Sequence, residues 1–548
     1  MISRKVEIAC LLFLGIVAAC LRGVPDGPLD REYDGFQGGS FMLFAINYER
    51  LGVDAYGAYG VFNVDLPPEP ESTPYLYPNH PPTVILLLWQ SLHWFAPDGW
   101  QTAWQENRPP PPGFEFALRL PFFLLHFAML GALWWAVRQA AGPLRALLAL
   151  AVLATLPISI VYAGLVNYEN AYLPFAILAA GFHVRWLRAN KRRDLLLECA
   201  CLFLAGTITF GPAFFVATLT FHTLFTVGFK RAFVEGASGS VAVLTPLALH
   251  GWWVKQALPE APAEGVWARV SNLIAPAFDG SAPLFEWFQR NTTRLAHFSS
   301  TFWFAAFVCG VVVALALAAT RKHRATDASE RRFELGWVLF GGALLMCLAF
   351  YRHTFDGVGL YDSQTVFLIN FGPGLACFAA LAIERAFRTL KSRRAPALAL
   401  VFAVLMGVAA QPRTMEIERL WRRPGPNDDP GGVKGPQAPL PSTNGPRLNQ
   451  VIPSGSVAFV PAELGFTPAT ALYAWRTIVP ITPTTFDQAV VRVNQQMGLK
   501  GLPRYIVLPK NPPAHARATT EAVRAQMLAT TKSILAENEH YEVWDYQN

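Results

Sequence analysis

The sequence predicts a polytopic α-helical membrane protein, with about eleven transmembrane helices and a small C-terminal α/β domain outside the membrane. Three observations carry this prediction. The chain of 548 residues is 53% hydrophobic and only 15% charged, whereas soluble proteins carry about 25% charged residues. Its apolar residues gather in runs that approach or reach the roughly 20 residues a membrane helix needs. Its basic residues sit in short clusters between those runs, so the net charge of +7 reads as membrane topology and not as a nucleic-acid surface.

The first span is expected at 6–22, preceded by Arg4 and Lys5. Val17-Ala18-Ala19-Cys20 resembles a lipoprotein cleavage box, but the many spans that follow favour a retained helix. Further spans are expected at 117–138, 144–162, 171–188, 194–211, 212–229, 239–257, 298–320, 333–351, 364–385 and 395–411. A further apolar segment, "PPTVILLLWQSLHWF" at 81–95, is short, and charge bias decides its fate. Suppose the N-terminus is inside and 81–95 does not span. Then Arg138, Arg145, "RWLRANKRR" (185–193), Lys230-Arg231, "RKHR" (321–324) and "RTLKSRR" (388–394) all fall on the cytoplasmic side. If 81–95 spanned, every later cluster would flip outside. It is therefore expected as an interfacial helix, amphipathic or re-entrant, with Trp89, Trp94 and Phe95 at headgroup depth. The 23–116 loop, the 163–170 turn, the 258–297 loop, the 352–363 turn and everything after 411 then lie outside. The seven cysteines occupy apolar segments, with no disulfide framework or zinc spacing.

The expected organisation is a membrane domain over 1–411, a Pro/Gly-rich linker over 412–449 and an extracytoplasmic α/β domain over 450–548. In the last part, "SVAFVP" (456–461), "RYIVLP" (504–509) and "HYEVWDY" (540–546) read as strands. "TFDQAVVRVNQQMG" (485–498) and "TTEAVRAQMLATTKSILAEN" (519–538) read as helices.

The residues with chemical potential gather on the expected outer face. "PLDREYDGFQGGSF" (28–41) crowds Asp30, Glu32 and Asp34 just before a helical pattern. Asp34 suits an N-cap, and equally a general base held at the membrane surface; the two roles can coexist. "YPNHPP" brings His80 to the start of the interfacial segment. Arg119-Leu120-Pro121 opens the second span, where an arginine also serves as a snorkelling anchor. Glu169 in "GLVNYENAYLPF" precedes the fourth span, and "TFGP" (209–212) turns between two spans. "FYRHTFDGVGLYDSQ" (350–364) places Arg352, His353 and Asp362 in one external turn.

Taken in order, these short motifs resemble the GT-C superfamily of membrane glycosyltransferases, and among them the protein O-mannosyltransferases and lipid A aminoarabinose transferases. By motif the resemblance covers roughly residues 1–260; beyond that it holds by layout. It implies that Asp34 is the catalytic base and that Glu169 stands where many relatives have a second acid. It also implies that His80-Pro81-Pro82 is the H/K-P-P element and that Arg119 is the R-L-P arginine. The implied donor is a polyprenyl-phosphate-linked sugar, and the acceptor a lipid, glycan or protein. Cations at Arg119, Arg352, His353 and His80 would meet the phosphate, and Glu32 and Asp362 would complete the substrate-binding set. Two departures stand out. Relatives often have D-E where this chain has Asp34-Gly35, and aminoarabinose transferases have T-K-G-P where this chain has Phe210 in place of lysine. No cofactor is expected; Asp30, Glu32 and Asp34 can together hold a divalent cation, but metal-independent catalysis ranks above that. The Ala/Arg/Pro-rich composition suggests a bacterial inner membrane.

A transporter or lipid flippase is the alternative from another class, and a non-catalytic scaffold a third. Transport generally needs ionisable groups near mid-membrane, and the spans read as almost free of charge there, apart from His126, His222 and His250.

Overall fold

The structure is a computed structural model. It describes residues 3–25, 38–53, 60–61, 76–77, 80–106, 111–257, 275, 283–321, 334–351, 363–390, 392, 394–422, 447–453, 456–461, 477–481, 503–512, 514–529 and 533–546. The chain divides into two compact units, one of residues 1–25 and 122–419, the other of residues 26–121 and 420–548.

The first unit is helical throughout its described residues. Helix α1 (Arg4–Arg22) starts at Ser3, whose hydroxyl accepts from the Val6 amide, and stops at Gly23, which adopts a φ of 62°. The unit takes up the chain again within a helix of 28 residues (Phe114–Ala141). Pro143–Thr155 and the short Pro157–Val161 follow it. The single span expected at 144–162 is thus broken at Leu156–Pro157, because Pro157 has no amide to carry the helix ladder onward. Next come Tyr168–Ala189, Arg192–Gly206, Pro212–Thr226 and Phe229–Ala257. Leu284–Ser299, Thr301–Arg321 and Leu335–Ala349 precede a 3-10 turn at Ser363–Asn370. Phe371–Arg388, Ala395–Ala409 and Gln411–Arg422 complete the series.

Among the described residues, five helices are long and apolar enough to cross a membrane: Phe114–Ala141, Phe229–Gln256, Thr301–Ala319, Phe367–Arg388 and Ala395–Ile417. The apolar helices Pro143–Thr155, Pro212–Thr226 and Leu335–Ala349 are shorter. Phe367–Arg388 is the centre of the unit, with 89% of its apolar window buried, against 22–44% for the other four. Glycines let neighbours approach it. A Cβ on Gly374 would stand 2.7 Å from the Phe340 amide, and one on Gly310 would strike the Phe378 carbonyl. Such small-residue contacts bring membrane helices together where hydrophobicity offers no drive. The outer surface is apolar instead: Phe225 is 84% and Phe233 66% exposed. That surface suits lipid and would be a liability in water.

Charges hold one end of this unit together. Arg138 pairs with Glu7 at 2.7 Å, and Arg185 with Asp194 at 2.9 Å. Arg145 is clamped by Glu384 at 2.6 Å and Glu334 at 2.8 Å. These arginines belong to the clusters that the charge bias assigned to one side. Glu7, Arg145, Glu198, Glu235 and Glu384 are all buried in helices, each near or just beyond the end of an expected span and not at its middle. Averaging hydropathy over a whole span hides single acids of this kind.

In the second unit, helix α2 (Gly39–Leu51) precedes a two-stranded antiparallel ladder, β1 (Gly60–Val61) with β2 (Leu76–Tyr77). Helix α3 (Thr83–Phe95) and a short helix at Trp100–Gln105 follow. At 13 residues, α3 is about 20 Å long, less than the ~30 Å hydrocarbon core. Its last two residues, Trp94 and Phe95, are 67% and 56% exposed.

The C-terminal residues form a five-stranded sheet: β3 (Val457–Pro461), β4 (Thr477–Ile481), β5 (Arg504–Pro509), β6 (Ile534–Glu537) and β7 (Tyr541–Asp545). Its order is β4-β3-β5-β7-β6; the first three strands are parallel and the last two antiparallel. Both faces of β3 are covered, which is the burial of a central strand. Val457 and Phe459 pack with Val523 and Met527, from the helix Ala514–Ala529, on one face. Ala458 and Val460 pack with Leu448, Val451 and Ile452 on the other. The helix expected over 519–538 ends at Ala529, and 534–537 is strand β6. The helix expected over 485–498 lies outside the described residues, as does most of the linker. Residues 412–422 of that linker are helical.

Candidate active site

Asp34, Glu32, Arg352, His353 and Asp362 lie outside the described residues. Of the remaining candidates, His80 and Arg119 belong to the second unit and Glu169 to the first.

In the second unit, α2 begins at Gly39 with Gly38 in the cap position and no side chain capping it. Gly38 already has helical dihedrals, and the capping role expected of Asp34 lies outside the described residues. Glu49, on the last turn of α2, gathers its neighbours. It accepts from Trp89 Nε1 at 2.8 Å and from Gln101 at 3.5 Å, and lies 3.3 Å from His93 Nδ1. One carboxylate thus joins α2, α3 and the short helix at 100–105. Sequence reasoning missed Glu49, whose signal was a lone acid on an apolar helix. His80 is half-buried two residues before α3 starts. The Ser91 hydroxyl of α3 donates to the carbonyl of Ala117, two residues before Arg119. Trp100 packs on Phe114 with ring centroids 5.6 Å apart. The H-P-P helix and the R-L-P helix are thereby joined, and Arg119 is buried at 5% exposure.

In the first unit, the acidic turn and the T-x-G-P turn meet. Asn167 caps the helix Tyr168–Ala189 by accepting from the Asn170 amide at 2.6 Å. Glu169 follows in its first turn, where a carboxylate suits the helix dipole. It stands before the apolar span at 171–188. It is 5% exposed, and its Oε2 has no hydrogen-bond partner. Burial pushes its carboxyl up to about 7, opposed only by its own backbone amide. One turn on, Tyr172 donates to Asn370 Oδ1 at 2.5 Å and lies 3.3 Å from Met346 Sδ. Glu169 is near enough to act electrostatically on both Tyr172 and Cys347. A Cβ on Gly211 would lie 3.2 Å from the Tyr172 ring and 3.2 Å from Met346 Sδ, so the 209–212 turn packs closely against both. Phe210 stacks on Phe350, and Phe350 on Phe367, with centroids 5.9 and 5.2 Å apart. The position that carries lysine in the resembled transferases is here part of an aromatic stack.

Beneath Glu169 runs a buried polar chain. Asn170 donates to the Tyr162 and Leu165 carbonyls and lies 3.2 Å from His126 Nδ1. His126 Nε2 is 3.2 Å from the Ser159 hydroxyl, which accepts from Arg22 at 2.8 Å. This chain fixes the rotamer of Asn170 and so the backbone that carries Glu169. Among the described residues, the one grouping with metal-ligand spacing lies elsewhere, at His183, Glu198 and Glu235.

No protein-family model matches the chain, and no curated protein sequence matches it. Solved structures do. ArnT from Cupriavidus metallidurans in the apo state aligns at 14% identity over 98% of this chain and 97% of its own, with a TM-score of 0.52. The oligosaccharyltransferase AglB from Archaeoglobus fulgidus, in complex with an inhibitory peptide and a dolichol-phosphate, aligns at 11% identity over 92% of this chain and 69% of its own, with a TM-score of 0.54. The apo form of the Archaeoglobus fulgidus oligosaccharyltransferase gives 11%, 92%, 70% and 0.52. Helix order, apolar spans and these alignments agree that the chain carries the fold of the GT-C membrane glycosyltransferases.

Proposed function

We propose that this chain is a membrane glycosyltransferase. It moves a sugar from a polyprenyl-phosphate donor to an acceptor hydroxyl, lipid or glycan on the extracytoplasmic face of a bacterial inner membrane. The observation that supports this best is fold-level likeness along nearly the whole chain to ArnT. The dolichol-phosphate in the AglB complex points to a lipid phosphate as the carrier.

In this reading, Asp34 accepts the proton of the acceptor hydroxyl as its oxygen attacks the anomeric carbon. The bond from that carbon to the phosphate oxygen breaks, and the polyprenyl phosphate leaves with the bonding pair. A positioned base contributes roughly 10²–10⁴-fold to such a step. Arg119, Arg352, His353 and His80 are the cations assigned to the leaving phosphate, where a water-poor site strengthens their effect. Glu32 and Asp362 are assigned to substrate hydroxyls. Glu169, raised to about 7 by burial, can hold or release a proton near neutral pH and serves as the second acid. Phe210 supplies no cation, so the donor or acceptor phosphate contacts differ from those of a T-K-G-P enzyme.

The test is transfer by the purified full-length protein from a panel of defined polyprenyl-phosphate sugars. Transfer by the wild type, lowered at least about a hundredfold in Asp34→Asn, supports the assignment. Undiminished transfer by Asp34→Asn removes Asp34 as the base. Accumulation of label across a sealed bilayer without a new glycosidic bond would favour a transporter instead.

A further inference from the structure

We propose that His183, Glu198 and Glu235 form a binding site for one divalent transition cation, zinc foremost. The site ties together four helices: Tyr168–Ala189, Arg192–Gly206, Pro212–Thr226 and Phe229–Ala257. It is separate from the candidate active site. Glu169 opens the helix Tyr168–Ala189, whereas His183 lies near its other end, beside the basic 185–193 segment.

Three helices contribute one ligand each, and all three side chains are sealed off, at 0%, 1% and 1% exposure. His183 Nδ1 lies 2.5 Å from Glu235 Oε1 and 3.9 Å from Glu198 Oε1. One ligand atom from each residue lies within 4.8 Å of the others. Glu198 Oε2 is buried without a hydrogen-bond partner, while His183 Nδ1 and Glu235 Oε1 meet each other at ion-pair distance. A zinc ion with ligands at about 2.0–2.2 Å places neighbouring ligand atoms roughly 3.3–3.6 Å apart. The observed spacing brackets that value, so small side-chain rotations suffice to close the site.

The outer contacts are those of a metal centre. His183 Nε2 lies 3.0 Å from His222 Nδ1. A proton held there leaves the Nδ1 lone pair of His183 aimed into the cluster. The Thr223 hydroxyl donates to Glu235 Oε2 and leaves Oε1 for the ion. Ligating histidines and carboxylates are normally oriented in this way by a second contact on the far atom. The neighbouring arginines are engaged elsewhere. Arg185 pairs with Asp194, Arg188 donates to the Gln139 and Ala140 carbonyls, and Arg231 donates to the Leu187 carbonyl. Two buried carboxylates side by side repel strongly in a low dielectric. A divalent cation cancels both charges, and a neutral imidazole completes three protein ligands. One nitrogen and carboxylate oxygens suit zinc or manganese better than soft thiolate-seeking ions.

The experiment uses the full chain, purified in detergent from cells grown with added zinc or manganese. Metal content is read by mass spectrometry and unfolding by thermal shift. The wild type is expected to retain about one ion per chain and to lose thermal stability on chelation. The Glu198→Gln/Glu235→Gln variant is expected to retain none and to ignore the chelator. Thr223→Val keeps all three ligands and is expected to bind zinc about 10–100-fold more weakly; it carries the test if the double variant does not fold. A wild type that binds no zinc or manganese overturns the proposal and leaves protons shared between the carboxyls. Zinc affinity unchanged in Thr223→Val also overturns it.

Discussion

Glu169→Gln should stabilise this protein at alkaline pH and do nothing at acid pH. The carboxyl is buried, its Oε2 has no hydrogen-bond partner, and burial raises it from 4.5 to about 7. The folded chain therefore holds this proton more tightly than the unfolded chain does. Below pH 4.5 both states are protonated and the group costs nothing. As pH rises toward 7 the unfolded chain ionises first, and folding loses free energy. Above 7 the loss is complete. Each tenfold gain in proton affinity on folding is worth about 1.36 kcal/mol, so the full effect is about 3 kcal/mol. Glutamine keeps the shape and removes the charge. Thermal unfolding of wild type and variant, in one detergent across about pH 4 to pH 8, reads the difference. The variant should unfold a few degrees higher at the alkaline end, with the two curves converging near pH 4. A gap that does not change with pH, or a less stable variant at pH 8, would refute the burial argument. The same proton predicts that sugar transfer depends on a group titrating near 7, and that Glu169→Gln loses that limb of the profile.

Two other perturbations probe the bundle. Arg145→Ala removes the 2.8 Å contact of Glu334 and leaves Glu384 to Arg388, at a cost of about 3 kcal/mol. The melting temperature should fall sharply, and Arg145→Met with Glu334→Gln and Glu384→Gln should recover much of it. Gly310→Ala should cost about 1–3 kcal/mol by forcing Thr301–Arg321 away from the Phe378 carbonyl. By contrast, Gly251→Ala, at a helical site where a Cβ meets nothing within 4 Å, should unfold at or slightly above the wild-type temperature.

Long apolar runs and basic clusters made the class of this protein legible, because both are properties of whole segments. Strands β3 and β5 were legible from their apolar runs and β7 from its Tyr541, Val543 and Trp544. Strand β4 was not, because Pro480 reads as a breaker. It is tolerated because β4 is an edge strand. The span over 144–162 looked continuous until Pro157 interrupted it. The pairing of Glu169 with the 209–212 turn through Tyr172 was partly visible, since both motifs were singled out, but nothing in the sequence marked Tyr172 as the link. His183, Glu198 and Glu235 could not be grouped from the sequence. Each is one polar residue in an apolar helix, and only the packing of those helices shows that the three converge.

The stacked rings of Phe350 and Phe367, 5.2 Å apart, have a mechanical meaning for the stretch between them. Tyr351, buried and stacked on Trp287, anchors the same end of the bundle. The chain therefore leaves the bundle after Tyr351 and returns at the Ser363–Asn370 turn, at neighbouring points. The cost of joining two such points changes only slowly with the number of residues between them. Lengthening or shortening the segment between Tyr351 and Ser363 should therefore shift the melting temperature little, whereas Tyr351→Ala, which removes the anchor itself, should lower it clearly.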